Sequence, residues 1–272
     1  VYNFPFRKYF EWLLILPLAI PSYALCYVYA EILGFNGYIN TLLINVVSIN
    51  TNLLNFYSIK GAIFVFTFSL YPYVYILARQ AFKDQSASYL EIAQISGYNL
   101  FSIFYKTSIP LARPAIIGGA TLVIMETLAD YGVADYLGID TFTKGIYRTW
   151  FNLGDISSAG KLSFLLLLTV FIIIFIEKFF RRGAKYNKNI RRDKPFIRKN
   201  LNSFYSFLMF FICLFPIIIG FIIPFIALLS WSHIGFNYWD LNTFIKIILS
   251  SFSLAFFAAF ICIIFAIIIV YG

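Results

Sequence analysis

Residues 61–82 read GAIFVFTFSLYPYVYILARQAF, a run of 22 residues in which Arg79 is the single charged side chain. Folded as a helix, the run would be about 33 Å long at 1.5 Å per residue, close to the roughly 30 Å hydrocarbon core of a bilayer. The run therefore predicts a membrane-spanning helix.

Further apolar runs between polar clusters bring the number of predicted spans to six, which predicts an all-α polytopic membrane protein. The first contains Pro17 and Pro21, which membrane helices tolerate where neighbours satisfy the freed carbonyls. A weaker stretch at 39–54 is broken by four asparagines and is interpreted as an interfacial or re-entrant piece. The other predicted spans cover residues 12–33, 114–129, 162–180, 204–231 and 244–271.

The overall composition agrees with a chain whose main solvent is lipid. Of the 272 residues, 61% are hydrophobic and 12% charged, whereas about a quarter of the residues in a soluble domain are charged. Aromatic residues make up 21%, which excludes a disordered chain. Cys26, Cys213 and Cys262 lie far apart inside apolar runs, so neither a disulfide framework, a metal site nor a cofactor is predicted.

The distribution of basic residues predicts the orientation, because short positively charged loops stay in the cytoplasm. With the N-terminus inside, the cytoplasmic segments hold 16 of the 21 lysines and arginines. The most basic stretch, residues 181–202, is interpreted as a cytoplasmic linker that contacts anionic head groups rather than nucleic acid. The chain opens at Val1 and ends within an apolar run, so we expect a piece of a longer protein.

The polar segment 83–113 joins the second and third predicted spans on the cytoplasmic side. Apolar residues recur in it every three or four positions, as expected for an amphipathic helix. Gly97 interrupts the pattern and predicts a bend, and Pro110 and Pro114 are predicted to end the segment. Such a bent protrusion can dock into a groove on a soluble partner, or it can lie at the membrane surface without one.

Four residues of this segment carry a resemblance to a known family. Glu91, Ala93, Gly97 and Pro110 match the spacing of the EAA motif of ABC importer permeases, while Ile92, Thr107 and Ile109 depart from it. The resemblance implies the type I importer fold, with 83–113 as a coupling loop that fits a cleft on a separate ATPase subunit. It also implies a substrate-binding protein outside the membrane as a second partner.

Two further stretches, METLADYG at 125–132 and TFTKGIYRTWF at 141–151, resemble the ferric iron subfamily of these permeases. Permeases for thiamine, sulfate or polyamines remain alternatives. The resemblance covers most of residues 1–185. It implies that 1–180 are most of one permease half and that 203–272 open a second half in a bacterial inner membrane.

Charged residues near the third span are candidates for substrate contact, because an ionisable group inside a span is costly. Glu126, Asp130 and Tyr131 are candidates for the substrate path, since ferric iron prefers oxygen ligands. The alternative is that Glu126 bonds a neighbouring helix and the aspartates cap short helices. Lys144 and Arg148 on the outer side are candidates for docking the binding protein.

Catalytic motifs, including the phosphate-binding G-x-x-x-x-G-K-[ST] loop, do not occur in the sequence, so a transport subunit powered by another protein is predicted rather than an enzyme. His233 is the single histidine and lacks the partners that a metal or catalytic site needs. An ion-coupled secondary transporter is the main rival, kept open by Glu126. A membrane-embedded enzyme is the second rival hypothesis.

Overall fold

A computed structural model describes residues 2–35, 37, 39–41, 55–85, 99–181, 199–200, 202–235 and 240–271. Two-residue strands, β1 (Tyr2–Asn3) and β2 (Lys199–Asn200), pair in parallel. The described α-helices are α1 (Arg7–Leu13), α2 (Ser22–Leu33), α3 (Ile59–Asp84), α4 (Leu100–Ile103), α5 (Ile109–Ala129), α6 (Gly132–Tyr136), α7 (Phe142–Tyr147), α8 (Ile156–Arg181), α9 (Ser203–Ile217), α10 (Ile223–Gly235) and α11 (Leu241–Tyr271). The predicted piece at 39–54 lies largely outside the described residues.

Five helical segments are long and apolar enough to cross a bilayer: 59–84, 104–129, 156–180, 203–232 and 241–271. Each overlaps one predicted span, so these five predictions are confirmed in position. The predicted first span is not one straight helix. Residues 7–19 and 22–33 bend by 86° at the break between them, where Pro21 precedes α2 and a 3-10 turn (Leu16–Ala19) contains Pro17.

The third span begins earlier than expected, and the prediction that Pro110 and Pro114 end a helix is wrong. Pro110 lies in the first turn of α5 and Pro114 lies within it, while Ile109 has helical backbone angles (φ −63°, ψ −49°). A π-helical turn (Phe104–Ser108) comes immediately before. Residues 104–129 form one helical segment, so Pro110 lies inside it, where its missing N–H leaves a carbonyl of the π-helical turn without its usual donor.

Helices α3 and α5 pack against each other along their lengths, and Gly119 allows the closest approach. A Cβ at Gly119 would lie 2.7 Å from Val74 Cα, which is inside van der Waals contact. Small residues let membrane helices approach closely because no side chain separates the backbones.

A second close approach lies beside Pro72. Pro72 has no N–H, so the Phe68 carbonyl lacks its usual helical donor. Gly220, in a π-helical turn (Ile218–Ile222), meets this carbonyl, and a Cβ there would lie 2.6 Å from the oxygen. Tyr29 Oη also donates a hydrogen bond of 2.8 Å to the carbonyl of Ile219 in the same turn. These contacts fix the π-helical turn against α2 and α3.

Residues 1–225 form one compact unit and residues 226–272 a second. In the first, the main apolar cluster includes Leu25, Cys26, Val65 and Val133, each with no exposed surface. In the second, all described side chains of α11 are exposed. An apolar helix of this length with an exposed surface suits contact with lipid or with further protein.

Candidate functional site

A small pocket lies just beyond the end of α5. It has a volume of about 450 Å³ and is formed by α6, α7 and the π-helical turn that follows α7 (Arg148–Asn152). It brings together Tyr131, Lys144 and Arg148, three of the residues predicted from sequence, but Glu126 and Asp130 do not line it. The lining residues are Tyr131, Asp135, Lys144, Tyr147, Arg148, Phe151 and Asn152.

The two cations of this pocket differ in their surroundings. Lys144 Nζ lies 3.7 Å from Asp135 Oδ1, whereas Arg148 forms no salt bridge within the part of the chain that the structure describes. Desolvation, together with the hydrogen bond to Asp135, raises the pKa of Tyr131. Asp135 is therefore already engaged by its neighbours, and Arg148 is the cation that is open to an incoming anion.

Stacked aromatic rings form one wall of the pocket. The ring centroids of Tyr131 and Tyr147 lie 4.3 Å apart, and Phe151 follows 5.2 Å from Tyr147. Trp150 stacks on Phe151 at 5.3 Å, and these two side chains are 51% and 66% exposed. Exposed aromatic residues beside an arginine are the composition typical of the energetic centre of a protein interface.

The two acidic candidates, Glu126 and Asp130, differ in their local structure and surroundings. Helix α5 ends at Ala129, and Asp130 follows with extended backbone (ψ 124°). Asp130 Oδ1 accepts a hydrogen bond of 2.8 Å from the Val133 N–H at the start of α6, as the capping alternative predicts for an aspartate. Desolvation by burial raises the pKa of Asp130.

Glu126 is exposed on α5. Within the described ranges it has no hydrogen-bond or ion-pair partner, so the alternative that it bonds a neighbouring described helix is not realised. A carboxylate facing hydrocarbon is costly, so this face of α5 is expected to meet water or protein. Acidic residues, histidines and cysteines of the described ranges form no group of three or more that would hold a metal ion.

The described ends of segment 83–113 lie side by side. Gln85 Nε2 donates a hydrogen bond of 2.8 Å to the carbonyl of Ser108, and Phe82 stacks on Phe104 with ring centroids 6.1 Å apart. The chain therefore leaves α3 and returns to α5 at one place. Pro110 is described at the start of α5, whereas Glu91, Ala93 and Gly97 lie outside the described residues.

Comparison with known protein families complements the description of the site. The family described as binding-protein-dependent transport system inner membrane component matches residues 1–184. The chain belongs to this family. The match covers α1 to α8, and with the apolar helices described above it makes the chain a multi-pass inner-membrane component.

Relatives within this family differ in their cargo. The chain is 26% identical over 258 residues to the Fe(3+)-transport system permease protein FbpB 2 of Haemophilus influenzae, covering 94% of this chain and 46% of that protein. It is 27% identical over 199 residues to the spermidine/putrescine permease protein PotB of the same organism, covering 69% and 66%. It is 22% identical over 206 residues to the molybdenum permease protein ModB of Escherichia coli K12, covering 68% and 88%. The chain thus spans about half the length of the iron transport relative.

Sequence reasoning missed one polar cluster of this chain. Glu11 of α1 accepts from Arg7 at 2.8 Å, from Arg79 of α3, and from Lys83 at 3.4 Å. The spacing of Arg7 and Glu11, four residues apart in one helix, is a local signal that sequence inspection can find. The contacts with Arg79 and Lys83 join residues about 70 positions apart, and no local pattern predicts them.

Proposed function

We propose that this chain is a permease subunit of an ATP-driven importer, working with a separate ATPase and a substrate-binding protein outside the membrane. The observation that carries the proposal is the family match over residues 1–184, the same residues that contain the bent first segment and three apolar helices of spanning length. The name of that family supports dependence on a binding protein. The lack of a phosphate-binding loop in the sequence supports a separate source of energy.

The proposed orientation places the N-terminus of this chain in the cytoplasm. The excess of basic residues in the segments that would then face the cytoplasm supports it. Segment 83–113 then protrudes on the same side as the ATPase, and the pocket beside α6 and α7 faces outward.

Segment 83–113 is the proposed contact with the ATPase, with Glu91, Ala93, Gly97 and Pro110 as its motif residues. The hydrogen bond between Gln85 and Ser108 supports this role, because it holds the two described ends of the segment together. A movement of this segment would displace the adjoining ends of α3 and α5 together. ATP binding then favours one packing of the helices if the ATPase fits that packing better.

The pocket is the proposed docking point for the binding protein. Arg148 supports this role because it has no salt bridge among the described residues, and the exposed rings of Trp150 and Phe151 supply apolar contact area. Arg148→Gln should slow association with a purified binding protein, most clearly at low salt. Lys144→Gln should have a smaller effect because Asp135 already engages Lys144. Equal effects of the two substitutions would count against Arg148 as the anchor.

Ferric iron is the proposed cargo, with Glu126, Asp130 and Tyr131 along its path. The relative named for Fe(3+) transport supports this, since the similarity runs along 94% of the present chain. Oxygen ligands such as carboxylates and phenols suit a hard cation.

An oxyanion is the second candidate for the cargo, and the pocket favours it. Lys144 and Arg148 give this pocket two positive charges against the single charge of Asp135. The relative named for molybdenum transport supports the same class of cargo. Competition between labelled ferric iron, molybdate, sulfate and putrescine for uptake would decide between the candidates.

The test of the function is ATP-dependent uptake by proteoliposomes that contain this chain, a candidate ATPase and a binding protein. Glu91→Lys and Gly97→Asp should insert normally but lose association with the ATPase. Asp140→Lys, an equal charge reversal on the exposed outer side, is the matched control and should associate normally. Unchanged association and uptake in both loop variants would refute the coupling role. Uptake driven by a proton or sodium gradient without ATP would favour the secondary transporter.

A further inference from the structure

The cluster around Glu11 sits where segment 83–113 begins. Lys83 is the first residue of that segment, and Arg79 lies one turn earlier on the same face of α3. Both contact one carboxylate oxygen of Glu11, while Arg7 contacts the other. Three cations thus converge on one carboxylate, and without it they would only repel one another.

The surroundings of this cluster strengthen its interactions. The side chains of Arg7, Glu11 and Arg79 are 19%, 23% and 26% exposed, so salt screens them less than it screens a surface pair. Arg79 Nε is buried and has no hydrogen-bond partner among the described residues. The orientation of this guanidinium therefore depends strongly on Glu11.

The face of α1 that carries Arg7 and Glu11 also packs against α9. Phe10 is 3% exposed, and its ring meets the edge of Phe210 with centroids 5.3 Å apart. Leu14 and Ile217 belong to the same buried cluster. Helix α9 follows the basic linker and lies beyond the matched residues 1–184. One short helix therefore touches both the base of segment 83–113 and the first helix after the linker.

Helix α1 depends on tertiary contacts of this kind for its position. It has seven residues, whereas isolated helices shorter than about 12 residues are marginal in water. The 86° bend before α2 means that α1 is not held as a straight extension of that helix. Its placement thus comes from the ion pairs of Glu11 with the end of α3 and from the packing of Phe10 and Leu14 against α9. Tyr71 and Tyr75 of α3 pack against the same apolar cluster.

We propose that Glu11 is a positioning residue that ties α1 to the end of α3, so that movement of segment 83–113 reaches α9. The proposal rests on the coupling role of that segment. Without Glu11, the segment still meets the ATPase, but the end of α3 is no longer tied to α1 and less of its movement reaches α9. The direct packing of Phe68 of α3 on Phe215 of α9, with ring centroids 5.9 Å apart, remains. ATP hydrolysis then continues while less substrate moves for each ATP.

The test uses the assembled transporter in proteoliposomes, with uptake of labelled ferric iron, molybdate, sulfate and putrescine measured beside ATP hydrolysis. Glu11→Gln should assemble with the ATPase and hydrolyse ATP, but uptake per ATP should fall by about 5-fold or more, the lower end of typical coupling between sites. Lys8→Gln is the matched control on the same helix, because Lys8 is exposed and forms no described salt bridge. The double variant Glu11→Arg with Arg79→Glu restores an opposite-charge pair and should recover part of the loss.

The outcomes separate the inference from the function on which it rests. Absence of ATP-dependent uptake by the wild type of all four probes and of thiamine, the remaining alternative cargo, would refute the proposed importer, and the inference would fall with it. If the wild type transports one of them, unchanged uptake per ATP in assembled Glu11→Gln would overturn the inference alone. Should Glu11→Gln fail to assemble, Arg79→Gln and Lys83→Gln replace it, and wild-type uptake per ATP in both would overturn the inference.

A distance measurement gives a readout that a loss of stability would not mimic. Spin labels at Tyr9 of α1 and Gln80 of α3, both exposed, should give one narrow distance distribution with and without ATP in the wild type. In Glu11→Gln the distribution should broaden while the apparent melting temperature changes little. A distribution as narrow as that of the wild type would contradict the tie.

Discussion

Replacing Gly119 with alanine tests the crossing of α3 and α5. The new Cβ would lie 2.7 Å from Val74 Cα, and about 0.7 Å of separation is needed to reach ordinary contact at about 3.4 Å, the near end of van der Waals contact. Both atoms belong to helix backbones, so a side chain cannot rotate away to relieve the contact. The two helices must separate, and overpacking of this kind costs about 1–3 kcal/mol.

Gly118→Ala is the matched control, because a Cβ there meets nothing within 4 Å. Both variants gain the same helix propensity, about 1 kcal/mol for Gly to Ala. The difference between their melting temperatures therefore reports the cost of the clash between α3 and α5 alone. At about 2–4 °C per kcal/mol, the apparent melting temperature of Gly119→Ala should lie about 2–12 °C below that of Gly118→Ala. Thermal unfolding in nanodiscs, followed by tryptophan fluorescence, measures this. Equal melting temperatures for the two variants would refute the close crossing.

Three smaller changes test other contacts. Tyr29→Phe removes the hydrogen bond to the carbonyl of Ile219 and should lower the free energy of unfolding by about 1 kcal/mol, measured by chemical denaturation; an unchanged value would show that water or another donor satisfies the carbonyl. Gln85→Ala opens the base of segment 83–113 and should speed hydrogen exchange in residues 83–113 without changing exchange in α8; unaltered exchange would contradict the closure at Ser108. Hydrogen bonds with the side chain and then the backbone N–H of Ser158 lower the pKa of Asp155. Ionised Asp155 therefore stabilises the fold above its unfolded pKa of about 3.9, and this contribution is lost as the pH falls through the folded pKa. In Asp155→Asn, the melting temperature should decrease less than in the wild type as the pH is lowered below about 4. An equally steep decrease in both proteins would contradict the stabilising role of ionised Asp155.

The spans are the part of the fold that sequence predicts well. Their length and low charge are properties of each segment alone. Residues 61–82 and 244–271 can therefore be recognised as spans from their own sequence, without knowledge of the helices around them. The broken first span is different. Pro17 and Pro21 are visible in the sequence, but an 86° bend rather than a mild kink depends on how Phe10 packs on Phe210 and Leu25 packs in the main cluster.

Helix boundaries near prolines are less predictable. The residue before a proline usually avoids helical geometry, yet Ile109 is helical because a π-helical turn leads into Pro110. Such a turn has no reliable sequence signal and is favoured by local packing.

The candidate site, too, is only partly predictable from the sequence. The sequence singles out Tyr131, Lys144 and Arg148 because they are polar residues beside a span, and the structure places them in one pocket. It does not predict that Asp135 engages Lys144 and leaves Arg148 open, because the contact depends on how α6 meets α7. The cluster at Glu11 is also non-local, and for the same reason it escapes sequence patterns.

The most direct test of the account is the side of the membrane on which segment 83–113 lies. A single cysteine at Gln94, in a chain whose Cys26, Cys213 and Cys262 are replaced, is treated with a membrane-impermeant maleimide before and after permeabilisation. A single cysteine at Asp140 serves as the outer control. The account predicts that position 94 reacts only after permeabilisation, whereas position 140 reacts in intact cells. Labelling of position 94 in intact cells would place the segment outside, away from the ATPase, and would contradict the coupling role.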